Sequence, residues 1–323
     1  MNNFWKILPK SFFVMAPMAD VTDIAFRSLI CRLGPPDVFW TEFVSADGLY
    51  HTREVLKMPD DENPLMRDLA FSAREHPIVA QIFSSKPDMI AYATQLVASL
   101  GFNGIDINMG CPDRAIERQG AGAAMIKTPE LAQAVIRAAK EASSLPISVK
   151  TRVGYDNESL DEWLPTLLRE GPAAITLHLR TRKDMSLVPA NWDLMKRAVD
   201  LRNRINPDVL LVGNGDVRDL DDGHQKITFS GCNGAMLGRA MFGNPWVFAG
   251  RKPHDTPVEE KLATLVQLAY GFEKIKPPKN FALLKKHIKA FVTGFAGAAE
   301  FRSKLMEANS ANELEAIIGA HVV

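Results

Sequence analysis

The sequence predicts an α/β fold, a (β/α)₈ TIM barrel followed by a small C-terminal α-helical domain. Eight short runs of β-branched and aromatic residues alternate with longer amphipathic runs between residues 12 and 240. This order and length are typical of a (β/α)₈ barrel, which spans about 250 residues. From about Trp246 onward the periodicity is helical only. A doubly wound sheet is the alternative, but it usually carries a GxGxxG turn, which this sequence lacks.

The predicted strands are short apolar runs that end at polar or turn-forming residues. They lie at 12–19, 37–45, 77–84, 104–110, 146–153, 173–180, 208–215 and 234–240. Helical patterns between them include 88–101, 128–144 and 159–171. Thr128 is the expected N-cap of the second of these helices, with Pro129 at its first position. Pro165 predicts a kink or a break in the third helix.

The predicted domains are a barrel over residues 1–245 and a helical domain over residues 246–323. Helical periodicity recurs at 258–275 and 281–295, and the Pro-rich stretch KPPKN separates the two segments. Between Gly271 and Lys304 eight Lys or Arg residues stand against two Glu residues, so this segment is net +6 while the whole chain is neutral. Such a segment is either a solvated helix face or a binding surface for a polyanion.

Composition excludes several classes of protein. Cys31, Cys111 and Cys232 are widely spaced, which fits neither a disulfide framework nor a CxxC metal site, so we expect no metal and a reducing, cytoplasmic compartment. No apolar run approaches the ~20 residues of a membrane span, and the N-terminus lacks a signal-peptide pattern. A monomer is the default expectation for the oligomeric state.

Polar or special residues recur where the predicted strands end. In a (β/α)₈ barrel the C-terminal ends of the strands meet at one face, where active sites lie. One interior Gln or His is more often a structural hydrogen-bonding group than a ligand, but recurrence at all eight ends favours a site. These residues are Pro17, Met18, Glu42, Gln81, Asn108, Cys111, Lys150, Arg152, His178, Arg180, Asn214, Gly215, Asp216, Gly238 and Arg239.

The last two strand ends favour an anion site. The stretches GNG at 213–215 and LGRA at 237–240 place small residues where backbone N–H groups can approach a phosphate, and Arg239 can add bidentate contacts. Loops after strands 7 and 8 are the usual phosphate site of this fold. Together with Lys150 and His178, which can stabilise the negative charge of a reduced flavin, this set suits flavin mononucleotide (FMN). Gln81 and Asn214 can hydrogen-bond the ring amides.

Eight sequence blocks resemble, in order, those of the tRNA-dihydrouridine synthases. The blocks are APMADVTDIAFR, TEFVSADGL, QIFSSKPD, DINMGCP, SVKTR, HLRTR, GNGDV and GCNGAMLGRAMFGNPWVF. The tail from residue 284 is similar to the C-terminal helical domain of the family. The resemblance implies an FMN-dependent oxidoreductase that uses NADPH or NADH to reduce the 5,6 double bond of a uridine in tRNA.

The resemblance also implies roles for individual residues. Cys111 matches the catalytic cysteine. Asn108 matches a position that faces the substrate base, and we expect Arg152, Arg180, Lys285 and Lys286 to contact the tRNA as well. The cofactor positions are Pro17, Met18, Gln81, Lys150, His178, Asn214, Gly215, Asp216, Gly238 and Arg239. The chain departs from the family at Leu179, where a glycine is common.

A thiol suits the implied reaction. Hydride addition to carbon 6 of uracil leaves enolate-like charge toward carbon 5, which must then receive a proton. A thiol with an ordinary pKa of about 8.5 is mostly protonated at pH 7 yet acidic enough to donate. The other readings of Cys111 are a buried structural residue, which we expect for Cys31 and Cys232, or a nucleophile with a base beside it.

Two other functions remain open from the sequence. A flavin barrel that acts on a free small molecule, like dihydroorotate dehydrogenase, would not need a basic helical module. A non-catalytic RNA-binding barrel would not need Cys111, Lys150 and Arg239 together. For a tRNA substrate, the target uridine has to leave its stack to reach the flavin.

Overall fold

The computed structural model describes residues 3–321 and contains all eight predicted strands. They form one parallel sheet in the order β1-β8-β7-β6-β5-β4-β3-β2. The two edge strands meet through a parallel bridge between Val14 and Val38, which closes the barrel. The strands are β1 Phe12–Met15, β2 Phe39–Ser45, β3 Ile78–Phe83, β4 Gly104–Met109, β5 Ile147–Arg152, β6 Ala174–His178, β7 Leu210–Asn214 and β8 Gly234–Leu237.

Helices cover the outside of the barrel, as the alternating pattern predicts. Those between the strands are α1 Ile24–Leu33, α2 Ala46–Tyr50, α3 Pro64–Asp68, α4 Pro87–Ser99, α5 Arg114–Glu117, α6 Pro129–Ala142, α7 Leu160–Arg169, α8 Asp193–Ile205 and α9 Leu220–Ser230. Thr128 is the N-cap of α6 and Pro129 its first residue, as expected.

Of the kink or break predicted at Pro165, the break is wrong, because α7 runs unbroken through that residue, and the kink stays a prediction. A proline in a helix removes one backbone hydrogen bond and crowds the preceding turn. In α7 the apolar residues Trp163, Leu164, Leu167 and Leu168 are buried against the barrel. Burial of these large side chains stabilises the helix by more than the lost hydrogen bond costs.

Two apolar layers leave only one end of the barrel polar. The main core lies between the strands and the surrounding helices. A second cluster fills the N-terminal end of the barrel, where a turn at Phe4–Lys6 places Trp5 with its ring centre 5.8 Å from that of Trp40. The opposite end, where the strands finish, is therefore the end available for chemistry.

After β8 the described chain is helical, with α10 Val258–Glu273, α11 Lys285–Phe291, α12 Ala298–Leu305 and α13 Ala311–His321. Helix α10 packs on α1, so the helical region shares the core of the barrel. The KPPKN stretch is a non-helical connection, as predicted. Within residues 3–321 no helix is long and apolar enough to cross a membrane. The boundary at residues 245 and 246 stays a prediction.

Candidate active site

A cavity of about 280 Å³ opens at the C-terminal end of the barrel, lined by residues from the ends of all eight strands and the loops that follow them. Fourteen of the sixteen predicted site residues line it: Pro17, Met18, Gln81, Asn108, Cys111, Lys150, Arg152, His178, Arg180, Asn214, Gly215, Asp216, Gly238 and Arg239. Lys285 and Lys286 lie outside this cavity, on α11. The recurrence of polar residues at strand ends therefore reflects one shared space, except at β2, where Glu42 lies outside the cavity and pairs with Lys279.

A buried hydrogen-bond network forms the floor of the cavity. Gln81 Nε2 donates to Asp106 Oδ2 over 2.7 Å, and Ser148 Oγ donates to Asp106 Oδ1 over 2.6 Å. Complete burial raises the pKa of Asp106 to about 6, although these hydrogen bonds and the Lys150 charge oppose the shift. The sequence reasoning missed Asp106. Its signal was the two-residue period of a strand, which puts Asp106 and Asn108 on the same face of β4.

Asn108 shapes the turn that carries Cys111. Its Oδ1 accepts hydrogen bonds from the N–H groups of Gly110 and Cys111 over 3.1 and 2.9 Å, and its Nδ2 donates to Gln81 Oε1 over 3.2 Å. The Asn108 carboxamide therefore links the floor network to the backbone of the thiol residue. One Nδ2 proton is left to face the cavity, because the protein uses the other one.

The segment after Cys111 folds back beneath it. The Cys111 carbonyl accepts a hydrogen bond from the Ala123 N–H over 2.9 Å. Gly122 makes this approach possible, since its φ is +62° and a Cβ there would lie 2.7 Å from the Cys111 carbonyl oxygen. Burial raises the pKa of the Cys111 thiol, with Lys150 and Arg152 acting in the opposite direction. The thiol is therefore protonated at neutral pH.

Lys150 brings an ammonium group into the cavity without a carboxylate partner. Among residues 3–321, no Asp or Glu oxygen lies within ion-pair distance of its Nζ. Burial lowers the pKa of Lys150 to about 8, and the nearby Arg152 acts in the same direction. A buried cation of this kind is stabilised by an anionic or electron-rich ligand.

His178 is neutral and its tautomer is determined by Arg180. Arg180 Nη1 lies 3.1 Å from His178 Nε2. Because a guanidinium only donates, Nε2 is the acceptor and Nδ1 carries the proton. Burial, followed by the surrounding Lys and Arg charges, lowers the pKa of His178 far below its ordinary value. His178 therefore offers one N–H donor at neutral pH.

Asp216 joins two of the predicted arginines. Its carboxylate accepts from Arg180 Nη2 over 2.6 Å and also pairs with Arg239. Burial works against ionisation, but the hydrogen bonds from Arg180 and the Ala190 N–H outweigh it and lower the pKa of Asp216. The anion therefore holds Arg239 beside the loops after β7 and β8, while the side chain of Arg239 remains 63% exposed.

Arg152 uses most of its hydrogen-bond donors on backbone carbonyls and does not present all of them to the cavity. Its Nε donates to the Gly110 carbonyl over 2.8 Å, and its Nη1 donates to the carbonyls of Thr181 and Met185, each over 2.9 Å. Burial lowers its pKa only to about 10, so it stays charged at neutral pH. Arg152 thus connects the Cys111 turn with the loop after β6.

Leu179, the departure from the family pattern, points away from the cavity. Its side chain is buried in the main core, and its N–H donates to the Asn214 carbonyl over 3.0 Å.

Of the other two cysteines, Cys232 is buried as expected, whereas Cys31 is only half-buried. The reason is that Cys31 lies near the end of α1, with its Sγ 3.1 Å from the Arg74 carbonyl oxygen.

The basic segment divides into buried and exposed charges. The side chain of Lys279 is 4% exposed and pairs with Glu42 over 2.5 Å and with Asp68 over 3.3 Å. Lys286 is exposed and pairs with Asp20 over 3.1 Å, in the loop after β1. The sequence analysis counted Lys279 among the charges of a solvated face or a polyanion-binding surface, and this is wrong. Lys279 neutralises buried carboxylates where the helical region meets the barrel.

Comparisons with known proteins identify a family for this chain. The family model described as dihydrouridine synthase (Dus) matches residues 14–321. A probable tRNA-dihydrouridine synthase 2 of Bacillus subtilis (strain 168) is 39% identical, over 98% of this chain and 96% of the relative. A probable tRNA-dihydrouridine synthase of Staphylococcus aureus (strain Mu50) is 38% identical, over 98% and 95%.

Among solved structures, the fold is similar to that of morphinone reductase, with a TM-score of 0.52 at 11% identity over 74% of this chain and 84% of that one. It is also similar to 2-naphthoyl-CoA reductase in complex with 2-naphthoyl-CoA, with a TM-score of 0.57 at 8% identity over 75% and 50%. At such low identity these similarities concern the barrel fold alone.

The protein is a flavin-dependent oxidoreductase built on a (β/α)₈ barrel. Within that class, the chain belongs to the dihydrouridine synthase family. The family resemblance drawn from the eight sequence blocks is confirmed, and so is the predicted fold class.

Proposed function

We propose that this chain reduces the 5,6 double bond of a uridine in tRNA, with FMN as its flavin, NADPH or NADH as reductant and Cys111 as proton donor. The observation that carries the proposal is the shared cavity, which brings the protonated thiol of Cys111 together with the unpaired ammonium of Lys150. When bound, the reduced flavin supplies a hydride. The residues of this chain bind the flavin, orient the uracil and donate the proton.

The loops after β7 and β8 supply groups that suit the phosphate of FMN. Among residues 3–321, no backbone carbonyl accepts from the N–H groups of Gly215, Asp216 or Gly238, so these donors are free to bind a phosphate beside Arg239. Gly215 suits this loop because its φ is +125° and a Cβ would lie 2.7 Å from the Ala190 Cβ. FMN ends in a phosphate, which such a cradle binds.

Lys150 and His178 suit the electron-rich edge of the flavin ring. Lys150 supplies a positive charge and His178 supplies its Nδ1 proton, so both stabilise negative charge that develops on the ring. Met18, Pro17, Gln81 and Asn214 complete the proposed flavin pocket. Asn214 Nδ2 donates to the Met236 carbonyl over 3.0 Å, which orients its carboxamide.

Cys111 completes the reduction by protonating carbon 5 of the uracil. Its thiol is neutral at physiological pH, and Asn108 holds its backbone from below. The S–H bond breaks as the new C–H bond forms, and the resulting thiolate recovers its proton from water. Asn108 acts chiefly as a positioning residue in this scheme, with one N–H left for the base.

The RNA lies across the mouth of the cavity in this proposal. Arg114 of α5 and Arg118 directly after that helix are exposed, as is Lys183 after β6. The helical domain, residues 246–323, contributes Lys285 and Lys286 on α11. These cations suit the phosphates of a folded tRNA, whose extruded uridine then enters the cavity.

The test incubates the purified protein with NADPH or NADH and an unmodified tRNA transcript, and measures dihydrouridine by mass spectrometry. We expect dihydrouridine with the wild type and a loss of about 10²–10⁴-fold in rate for Cys111→Ala, since that is the contribution of a placed general acid. Cys31→Ala is the matched control, being a half-buried cysteine outside the cavity. A reducible flavin without any dihydrouridine would favour a small-molecule substrate instead.

A further inference from the structure

The loop between β6 and α8 exposes apolar side chains beside the cavity. We call residues 181–189 the rim loop. Met185, Leu187 and Val188 are 40%, 87% and 43% exposed, and Ser186 between them lines the cavity. Three large apolar side chains lie together on one exposed tip. Their apolar surface is removed from water only when a partner covers the tip.

The backbone of the rim loop is held in place from inside the cavity. Arg152 donates to the carbonyls of Thr181 and Met185, each over 2.9 Å, and Arg180 Nε donates to the Val188 carbonyl over 2.6 Å. Within the loop, the Leu187 N–H donates to the Asp184 carbonyl over 2.9 Å. The tip is therefore ordered in advance, which lowers the entropic cost of binding a partner.

Exposed cations lie in the rim loop and in the segment that it contacts. Arg182 forms a bidentate ion pair with Glu117, which connects the rim loop to α5. Helix α5 and the residue after it bring the exposed Arg114 and Arg118 to the same side, and the rim loop itself carries the exposed Lys183. A partner that covers an apolar tip beside exposed cations combines anionic and flat apolar groups, which is the chemistry of a nucleic acid.

We propose that the tip of the rim loop contacts the nucleobases next to the extruded uridine and occupies space that this base leaves in the stack. Apolar side chains inserted beside an unstacked base are a known way to stabilise a distorted nucleic acid. The proposal rests on the proposed function for the identity of the extruded base. A second copy of the chain is the weaker candidate, because a symmetric contact would bring the exposed Arg114, Arg118 and Lys183 of both copies together.

The test compares Leu187→Ala with Ile7→Ala. Ile7 is 80% exposed but lies before β1, at the opposite end of the barrel. The Kd for an unmodified tRNA transcript is measured over a range of salt concentrations. We expect Leu187→Ala to bind about fivefold more weakly at every salt concentration, the effect of losing about 1 kcal/mol of apolar contact. Ile7→Ala should bind like the wild type.

The salt dependence separates an apolar contact from a charge contact. Leu187→Ala should leave the slope of log Kd against log salt unchanged, because no phosphate contact is lost. The rate of flavin reduction by NADPH should also stay at the wild-type value, and Leu187→Met should recover most of the affinity.

Three results would overturn the proposal: equal Kd values for Leu187→Ala and Ile7→Ala, a changed salt slope, or a wild-type dimer that Leu187→Ala dissociates in light scattering. Dihydrouridine is measured in the same samples. Its absence from the wild-type samples overturns the proposed function, while the Kd comparison still decides whether the rim loop contacts RNA.

Discussion

Arg180 Nη1 lies 3.1 Å from Nε2 of His178, and the same guanidinium pairs with Asp216 and donates to the Val188 carbonyl. One buried arginine therefore determines the tautomer of a cavity imidazole, orients the carboxylate beside Arg239 and anchors the rim loop. The sequence suggested Arg180 as a residue that contacts tRNA. Its position in the structure favours a positioning role, since at least three of its five donors are used within the protein.

His178 should remain neutral well below its ordinary pKa. Burial and the neighbouring cations lower that pKa, so the imidazole stays uncharged as pH falls through about 6.5. We expect the ¹⁵N resonances of labelled His178 to show an unprotonated Nε2 and a protonated Nδ1 from pH 7.5 to 5.5. In Arg180→Met this preference should weaken. Titration of His178 near pH 6.5 in the wild type would contradict the assignment.

The charge on Lys150 should control flavin reduction at alkaline pH. Its pKa is lowered to about 8, so the ammonium is present below that pH and is lost as pH rises through it. We expect the rate of flavin reduction by NADPH to fall above about pH 8 in the wild type. Lys150→Met should be about 10²-fold slower at pH 7 and lose this pH dependence, since a charge-stabilising donor is removed.

The control for this prediction is Lys140→Met. Lys140 is an exposed lysine on α6 whose Nζ donates to the Glu170 carbonyl over 2.6 Å, outside the cavity. Stopped-flow absorbance of the flavin gives the rate for each variant. A wild-type pH profile that is flat across pH 8 would show that Lys150 does not influence the reduction.

Lys279→Met should destabilise the protein strongly. The substitution leaves the buried Glu42 without its cation, and breaking a buried ion pair in this way typically costs about 3–5 kcal/mol in the free energy of unfolding. Burial already raises the pKa of Glu42, so the loss should be smaller at low pH, where this carboxyl can take up a proton. Urea unfolding at pH 8 and pH 5 measures both effects.

Two further variants test the role of the Lys279–Glu42 pair. Lys276→Met removes an exposed charge from the same connection and should change the free energy of unfolding by no more than about 0.5 kcal/mol. Adding Glu42→Gln to Lys279→Met should restore part of the lost stability, because the uncompensated anion is gone. Equal stability of Lys279→Met and Lys276→Met would contradict a buried ion pair.

Charge reversal at Lys285 and Lys286 should weaken tRNA binding. The double variant Lys285→Glu with Lys286→Glu is expected to raise the Kd for tRNA and to flatten its salt dependence, because fewer counterions are released. NADPH-dependent flavin reduction should stay intact, since neither residue lines the cavity. Lys10→Glu, exposed at the opposite end of the barrel, is the control. A wild-type Kd for the double variant would remove these lysines from the RNA surface.

The barrel could be predicted because its signals are local. Each strand is a short run whose side chains alternate between two faces, and each following helix has a 3.6-residue period. The regular polar positions at the strand ends, such as Gln81, Asn108 and Lys150, follow from the same two-residue period. The eight ordered blocks then identified the family before any geometry was known.

Contacts between distant residues could not be predicted in the same way. Asp106 looks like an ordinary strand residue until Gln81 and Ser148 of the two neighbouring strands approach it. From the sequence alone, Lys279 is one more surface charge. In the folded chain its side chain is buried in ion pairs with Glu42 and Asp68. In both cases the role of the residue depends on partners at least 25 positions away in the chain.

The sequence by itself determined the class of fold and the family, because periodicity and motif order are properties of neighbouring residues. Only the tertiary structure decided which state each group adopts. The tautomer of His178 and the pKa values of Lys150 and Cys111 depend on burial and on charges from other strands. Electrostatic interactions act through space, and only the folded chain defines that space.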